Sequence, residues 1–457
     1  MIDAPRLVDA ALAASRADET IVLVTDSDDA NVRWAGSSMT TNGVMRSRSW
    51  TVIAIRRDPR PRCGIVTAPS VSADEVAAVV AAAVTAADTA AEATDAMPLL
   101  PGDGEPENWA DGTAGTGIEV FGDVLEALAA GFSDIGRDPL YGFAHHHVHT
   151  TWLGTSTGLR RRWTQRDGSL EITAKRGGLS GAGAWVGAGT ADFTDVDTVA
   201  LLTELDRRLG WAGSTVALPP GRYETLLPPS AVADLMIYLM WSMGGRGAED
   251  GHTVWSRPGG TRVGETVAAL PVTLTSDPAA PGLACPPFLT ATSSTDTVSV
   301  FDNGLDVERV DWIRDGTVTA LTYPRAAAAE FSAPVTAPGE NLLLTGGSNA
   351  TLDEMIAGTE RGLLLTTLWY LREVDPSALL LTGLTRDGVY LIEDGQVRGA
   401  VNNFRFNESP LDLLRRAVEV GATERTLPRE WNDWFTRTAM PPMRIPDFHM
   451  SSVSAAQ

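Results

Sequence analysis

Between Ala231 and Met243 the chain runs thirteen residues with a single charge, Asp234. That falls short of the roughly 20 apolar residues a membrane-spanning helix needs, and it suits a buried helix of about three to four turns. Pro228 and Pro229 block helix ahead of it, Ser230 is the expected N-cap, and Gly244, Gly245 and Gly247 are expected to end it. A helix walled by other structure is a usual seat for a metal. Yet between Arg222 and Asp250 there is no His or Cys, and the only acids are Glu224, Asp234 and Glu249. The stretch has the setting of a site and no ligand set.

A chain of 457 residues has room for two or three domains, each with its own core. The formal net charge of −22 and a pI near 4.6 exclude nucleic-acid and anionic-membrane binding as a main role, because phosphates would be repelled. Lys175 is the only lysine, so the basic residues are otherwise arginines and single ones are not read as phosphate ligands. Cys63 and Cys285 lie far apart and form no CxxC; they fit a reduced, cytoplasmic protein, with one disulfide left open. The opening MIDAPRLVDAALAASRADE carries early acids and no basic-then-apolar signal pattern, so no secretion is expected.

In chain order, a helix is expected over 7–17, strands over 19–25, 32–34 and 49–55, and a polar turn at 40–43. Ser72 and Glu75 form a capping box opening an Ala-rich helix to about Ala93. Residues 97–117 read as a long exposed loop, 121–132 as helix, and 142–186 as strands with a hairpin signal at Asp167-Gly168. Residues 197–209 read as helix; beyond the central helix the pattern becomes mostly strands and turns, with short helices over 352–357 and 411–420 and an apolar strand over 362–370. The expected fold class is α+β in two domains: an N-terminal mixed α/β half, 1–215, and a C-terminal antiparallel β-rich half, 216–450, holding the central buried helix. A disordered tail is expected over 451–457.

Two local signals suggest chemistry. HHHVH at 145–149 would put His145, His147 and His149 on one face of a strand, about 7 Å between successive Cα atoms, and three imidazoles on one face can hold zinc. No carboxylate or partner from another element is identifiable for them, so the competing reading is a polar strand face. Gly154-Thr155-Ser156-Thr157-Gly158 matches G-x-S-x-G, but a nucleophile elbow needs a strand-to-helix turn; LRRRWTQRDGSLEITAK follows, a hairpin pattern. The glycine-rich 177–189 fails the dinucleotide spacing, since Val186 stands where the third glycine belongs.

Five segments, in order, resemble the TldD/PmbA family: NVRWAGSSMTTNG (31–43), VGETVAALPVTLTSDPAAPG (263–282), SVFDNGLDVERVDWIRDGTVTAL (299–321), NLLLTGGSNATLDEMIAGTERGLLLT (341–366) and GVYLIEDGQVRGAVNNFRFNESPLDLL (388–414). The resemblance covers most of the chain. It implies a bacterial, zinc-dependent peptidase system in which the TldD-type subunit carries H-E-x-x-x-H on the central helix and a later cysteine. The equivalent region here, SAVADLMIYLMWSMGG, has neither, and the C-terminal segments contain no cysteine. The chain therefore looks like the TldE/PmbA-type member. The resemblance implies a non-catalytic, metal-free subunit of a cytoplasmic heterodimer, with no catalytic or cofactor residues of its own. Zinc is then expected in the TldD-type partner, and unfolded peptide is the expected substrate. The alternative is an independent hydrolase or metalloenzyme using His145, His147 and His149 or Ser156.

Overall fold

Val22, Val24, Ala30, Val32 and Trp34 all fall at even positions, and all are buried on one face of a single strand, β1 (Glu19–Trp34). The computed structural model describes residues 2–69, 72–133, 138–177 and 182–454. β1 is central in an antiparallel sheet with β2 (Met39–Arg56), β3 (Arg62–Pro69), β4 (Leu140–Thr155), β5 (Arg160–Arg176) and β6 (Ala182–Thr190), in the order β3-β2-β1-β4-β5-β6. Helices cover the buried face. α1 (Ala4–Ala14) and α2 (Val76–Thr89) pack about Trp50 and Trp152, and α3 (Gly122–Ser133) and α4 (Thr198–Trp211) about Trp34.

The sequence pattern breaks β1 at the polar run 26–31 and puts a turn at 40–43; the structure carries strand through both. Cross-strand pairing explains it: Arg48 pairs with Asp26, and Arg46 donates to Asp28 at 2.6 Å, so the carboxylates of the polar run are matched from β2. Asp167-Gly168 lies inside β5, and the β4–β5 hairpin turns at 156–159 instead. The Ser72–Glu75 capping box forms, opening a short 3-10 turn ahead of α2. The segment 97–117 contains neither helix nor strand, yet it is not simply exposed: Leu99 and Trp109 are buried, and Trp152 Nε1 donates to the Trp109 carbonyl at 3.0 Å.

The later strands form two further main sheets, mostly antiparallel. One runs Leu368–Asp375, Leu380–Thr385, Phe404–Glu408, Met443–Val453, Gly221–Leu227, Arg361–Leu365, Val389–Glu393, Gln396–Val401 and Thr215–Val216. The other runs Thr317–Val318, Val310–Arg314, Thr273–Ser276, Leu342–Thr345, Thr438–Met440 and Glu424–Thr426. Side chains of both sheets share one apolar core with α5 (Pro229–Trp241). The α+β fold with a central buried helix is thus observed. The expected disordered tail is corrected in part: the strand ending at Val453 pairs with Phe404–Glu408, while 455–457 lie outside the described residues.

The second face of the first sheet meets the second half of the chain. Ile21, Ile53 and Ile55 pack with Val300 and Phe301, and Leu23 and Leu153 with Phe288. Lys175 donates to Asp387 at 2.7 Å, and Arg437 pairs with Asp167, across the same junction.

Close approach fixes one glycine. A Cβ on Gly64 of β3 would stand 2.1 Å from the Ala87 backbone nitrogen of α2, whereas a Cβ on Gly43 of β2 would meet nothing within 4 Å. Gly64→Ala is expected to destabilise by about 2 kcal/mol or more through overpacking, and Gly43→Ala by no more than about 0.5 kcal/mol. Urea unfolding of the two variants against the parent checks the contrast.

Candidate functional site

The central helix is the first place to look. α5 starts at Pro229, a residue before the expected cap: Pro228 is the N-cap, and Ser230 is buried within the first turn. Proline tolerates this position because its missing N–H would have had no partner in the first turn. Beyond the cap at Ser242, Gly245 and Gly247 do not terminate helix but belong to a further short one, α6 (Gly245–Glu249). Within α5, Leu235, Met236, Ile237, Leu239 and Met240 are fully buried. None can donate a lone pair to a hard or borderline cation. Of the nearby acids, Glu224 pairs with Arg444 at 2.7 Å and Glu249 accepts from the Tyr323 hydroxyl at 3.1 Å. The residues around α5 do not fit a peptidase metal.

Asp234 is the polar exception. Its Oδ1 accepts from the Glu430 N–H at 2.9 Å and its carbonyl from Trp431 Nε1 at 2.9 Å, which ties α5 to the segment 430–431. Oδ2 has no partner among the described residues. Burial, only partly opposed by the Glu430 N–H, pushes this carboxyl well above the ordinary carboxylate range. Its role is structural, and burial favours its protonated form.

At its far end α5 reaches the surface. Trp241 contacts Trp431 with ring centroids 5.1 Å apart, and Tyr238 contacts Trp431 at 5.8 Å. Trp241 is 42% exposed and Trp434, one turn beyond Trp431, is 80% exposed. Tyr238, Trp241 and Trp431 form an aromatic cluster, with Trp434 exposed three residues along the chain, of the kind that interfaces favour. At the opposite end, Pro228, Pro229 and Ser230 border a groove of about 680 Å³ between α4, β6 and the later sheets. Two ion pairs lie along it, Arg207 with Asp353 and Arg425 with Asp195.

The histidine strand is the second place. β4 pairs on both sides, and register sets Asp29 of β1 directly opposite His147, Asn31 opposite His145 and Ser27 opposite His149. His145, His147 and His149 do share a face, as expected from period two. His145 Nε2 lies 3.2 Å from Asp29 Oδ1, and His147 Nδ1 contacts the same oxygen. The carboxylate that local spacing did not reveal is Asp29; the signal was the acid-rich DSDD run, which becomes meaningful once β1 and β4 are paired. His149 is one step removed. Its ring is 4.9 Å from that of His147, its Nδ1 is buried without a partner among the described residues, and burial beside His147 pushes it down to about 4. His146 points the other way, Nδ1 to Thr116 at 2.6 Å and Nε2 to the Ala191 carbonyl at 2.9 Å.

Ser156 sits in the exposed β4–β5 turn. Its Oγ accepts from the Thr20 N–H at 3.0 Å and no imidazole bonds to it. The strand-to-helix turn of a nucleophile elbow is absent here. Cys63 and Cys285 are both unbridged, and burial pushes their thiols up to about 11 and about 12; neither is a ready thiolate.

Comparison with known proteins adds the fold's relatives. Residues 220–452 match the PmbA/TldA metallopeptidase C-terminal domain family. TldE from Thermococcus kodakarensis is similar over 97% of this chain and 98% of its own, with a TM-score of 0.76 and 17% identity. A candidate modulator of a DNA gyrase from Thermotoga maritima covers 97% of this chain and 99% of its own, with a TM-score of 0.75 and 13% identity. A third, a candidate modulator of DNA gyrase from Bacteroides thetaiotaomicron, covers 98% of both chains at a TM-score of 0.76 and 16% identity. At these identities the likeness establishes a shared fold. No curated protein matches the chain.

Two outcomes follow from this geometry. Folded Asp234 holds its proton more tightly than the unfolded chain, so its contribution is fully present below about pH 3.9 and is lost as pH rises toward the folded value. Asp234→Asn is therefore expected to raise Tm at pH 8 by about 2 °C or more, with a smaller gain at pH 5, as read by calorimetry. Ser156 is expected to take no label from a fluorophosphonate probe; labelling lost in Ser156→Ala would reverse that reading.

Proposed function

The chain belongs to the TldD/PmbA family, and on that premise we propose that it is the TldE/PmbA-type subunit, with no peptidase metal on its central helix, of a heteromeric zinc metalloprotease of the family. In this reading a TldD-type partner supplies the ion and the general base, and this chain completes the chamber that orients unfolded peptide. The observation that carries it is the central helix: α5 is buried except at Tyr238 and Trp241, carries no imidazole or thiol to hold an ion, and its one carboxyl, Asp234, is buried and bonded to the Glu430 N–H. The whole-length likeness to a protein named TldE supports the assignment to that branch.

The exposed aromatic end of α5 supports the partnership. Trp241, Trp431 and Trp434 offer an apolar centre for an interface, which for an obligate pair should exceed about 2,000 Å². A cytoplasmic setting is supported by the two unbridged cysteines; among the described residues no helix is long and apolar enough to cross a membrane. Direct action on DNA is disfavoured by the net charge of −22.

Co-expression with an H-E-x-x-x-H homologue should give one peak in size exclusion and a casein-type activity that neither chain shows alone. Trp241→Asp with Trp434→Asp should abolish co-elution while leaving the circular dichroism unchanged, because both side chains are exposed. Leu239→Asp, at 0% exposure, should unfold the chain by contrast. A partner that cleaves at full rate alone and never co-elutes overturns the proposal.

A further inference from the structure

The second face of the first sheet divides into a covered half and an uncovered one. Ile21, Leu23 and Leu153 lie beneath Phe288 and Phe301 of the later chain. Farther along the same strands that cover thins and the face turns polar: Ser27, Asp29 and Asn31 on β1, with the partly exposed His145 and His147 on β4 and His149 half-buried at the boundary. Among the described residues Asp29, His145 and His147 form a group of three side chains able to hold a metal, with their donor atoms all within 4.8 Å of one another.

We propose that Asp29, His145 and His147 form a binding site for a divalent transition metal of the zinc class. The site is separate from the family's peptidase centre and departs from the sequence expectation of a chain without a metal. It also replaces the all-histidine set, since Asp29 takes the place His149 would have had.

The geometry supports the donor set. His145 reaches the shared point with its far nitrogen, Nε2, and His147 with its near one, Nδ1, which lets two residues two apart on a strand converge. Phe143 stacks on His145 at 5.8 Å and 24°, fixing that ring. Two donors each about 2.1 Å from a tetrahedral ion stand roughly 3.4 Å apart, close to the 3.2 Å between His145 Nε2 and Asp29 Oδ1. His147 needs only to ease from hydrogen-bond contact to that separation. The ligands sit on paired central strands, where the backbone holds register.

The chemistry selects the class of ion. Two imidazoles and one carboxylate suit zinc and its neighbours, whereas calcium and magnesium take oxygen ligands. Side-chain exposures of 37% for His145, 30% for His147 and 14% for Asp29 leave the point open to solvent. Three protein ligands leave one position of a tetrahedral ion for water. The strongly acidic chain favours approach of a cation.

The test uses the full chain, stripped with a chelator and titrated with Zn²⁺ alone against a chromophoric zinc indicator. The expected result is one ion per chain. Binding should fall at least tenfold in His147→Ala and in Asp29→Asn, and stay unchanged in His252→Ala, a control away from the cluster. Asp29→Asn keeps the shape and a hydrogen-bonding oxygen, so it separates loss of ligation from loss of fold, with circular dichroism confirming each variant. Zinc should also raise the Tm of the parent and not of Asp29→Asn. A parent chain that takes up no zinc, or one whose affinity is unchanged in both Asp29→Asn and His147→Ala, overturns the assignment.

Discussion

The structure depends on keeping α5 dry. Each Leu, Ile or Met buried on that helix contributes about 1.5–3 kcal/mol of transfer free energy, and α5 joins the two later sheets into one core. A helix buried on nearly every side has no polar face to spare. Asp234 is accommodated by bonding to the backbone at 430 and the indole at 431, while burial favours its protonated form. Those bonds also hold the segment that carries Trp431 and Trp434, so one buried acid links the core to the exposed aromatic patch.

The first sheet solves a different problem. Its strands are long, and only part of the second face is covered by later chain. Where Phe288 and Phe301 supply apolar cover, the strands present Ile and Leu; where cover ends, they present Asp, Asn, Ser and His. The change of composition along β1, from ETIVLVT to DSDDAN, thus records where the neighbouring half stops. Between the two regimes, Arg437 pairs with Asp167 near the half-buried His149. That boundary is polar but matched.

This is also why the sequence was read unevenly. Helices with caps and apolar spacing were legible within a few residues: Asp197 caps α4, and residues 352–357 form the expected helix behind Thr351. The α+β class and the buried central helix were legible from period and composition. Strand continuity was not, because Asp26 and Asp28 are supported in strand by Arg48 and Arg46 some twenty residues away, and nothing local announces such pairs. The same limit hid Asp29. Spacing placed His145 and His147 on one face, but their carboxylate comes from a strand more than 110 residues earlier, as the separation of 116 between Asp29 and His145 shows. The aromatic patch was half visible: Trp241 and Leu239 looked equivalent as sequence, and only packing separates the exposed residue from the buried one.

On the proposed reading, the loss of a metal set from α5 has a physical logic. A buried His or Glu kept there without its ion would be an unsatisfied polar group costing about 1–3 kcal/mol each. Replacing such groups with Leu, Met and Ile converts that cost into packing, much as apolar side chains can replace buried ion pairs without loss of stability. A subunit relieved of chemistry therefore drifts toward a tighter core, and α5 has the composition of that endpoint. His145 and His147 escape the same pressure because they are partly solvated and share the Asp29 carboxylate. There, Asp29 and the imidazoles cost little to keep, and their retention in one hydrogen-bonded cluster does not interfere with the core beneath. The two loci differ in environment first and in chemistry as a consequence. Desolvation empties one of ligands, and access to water lets the other keep them.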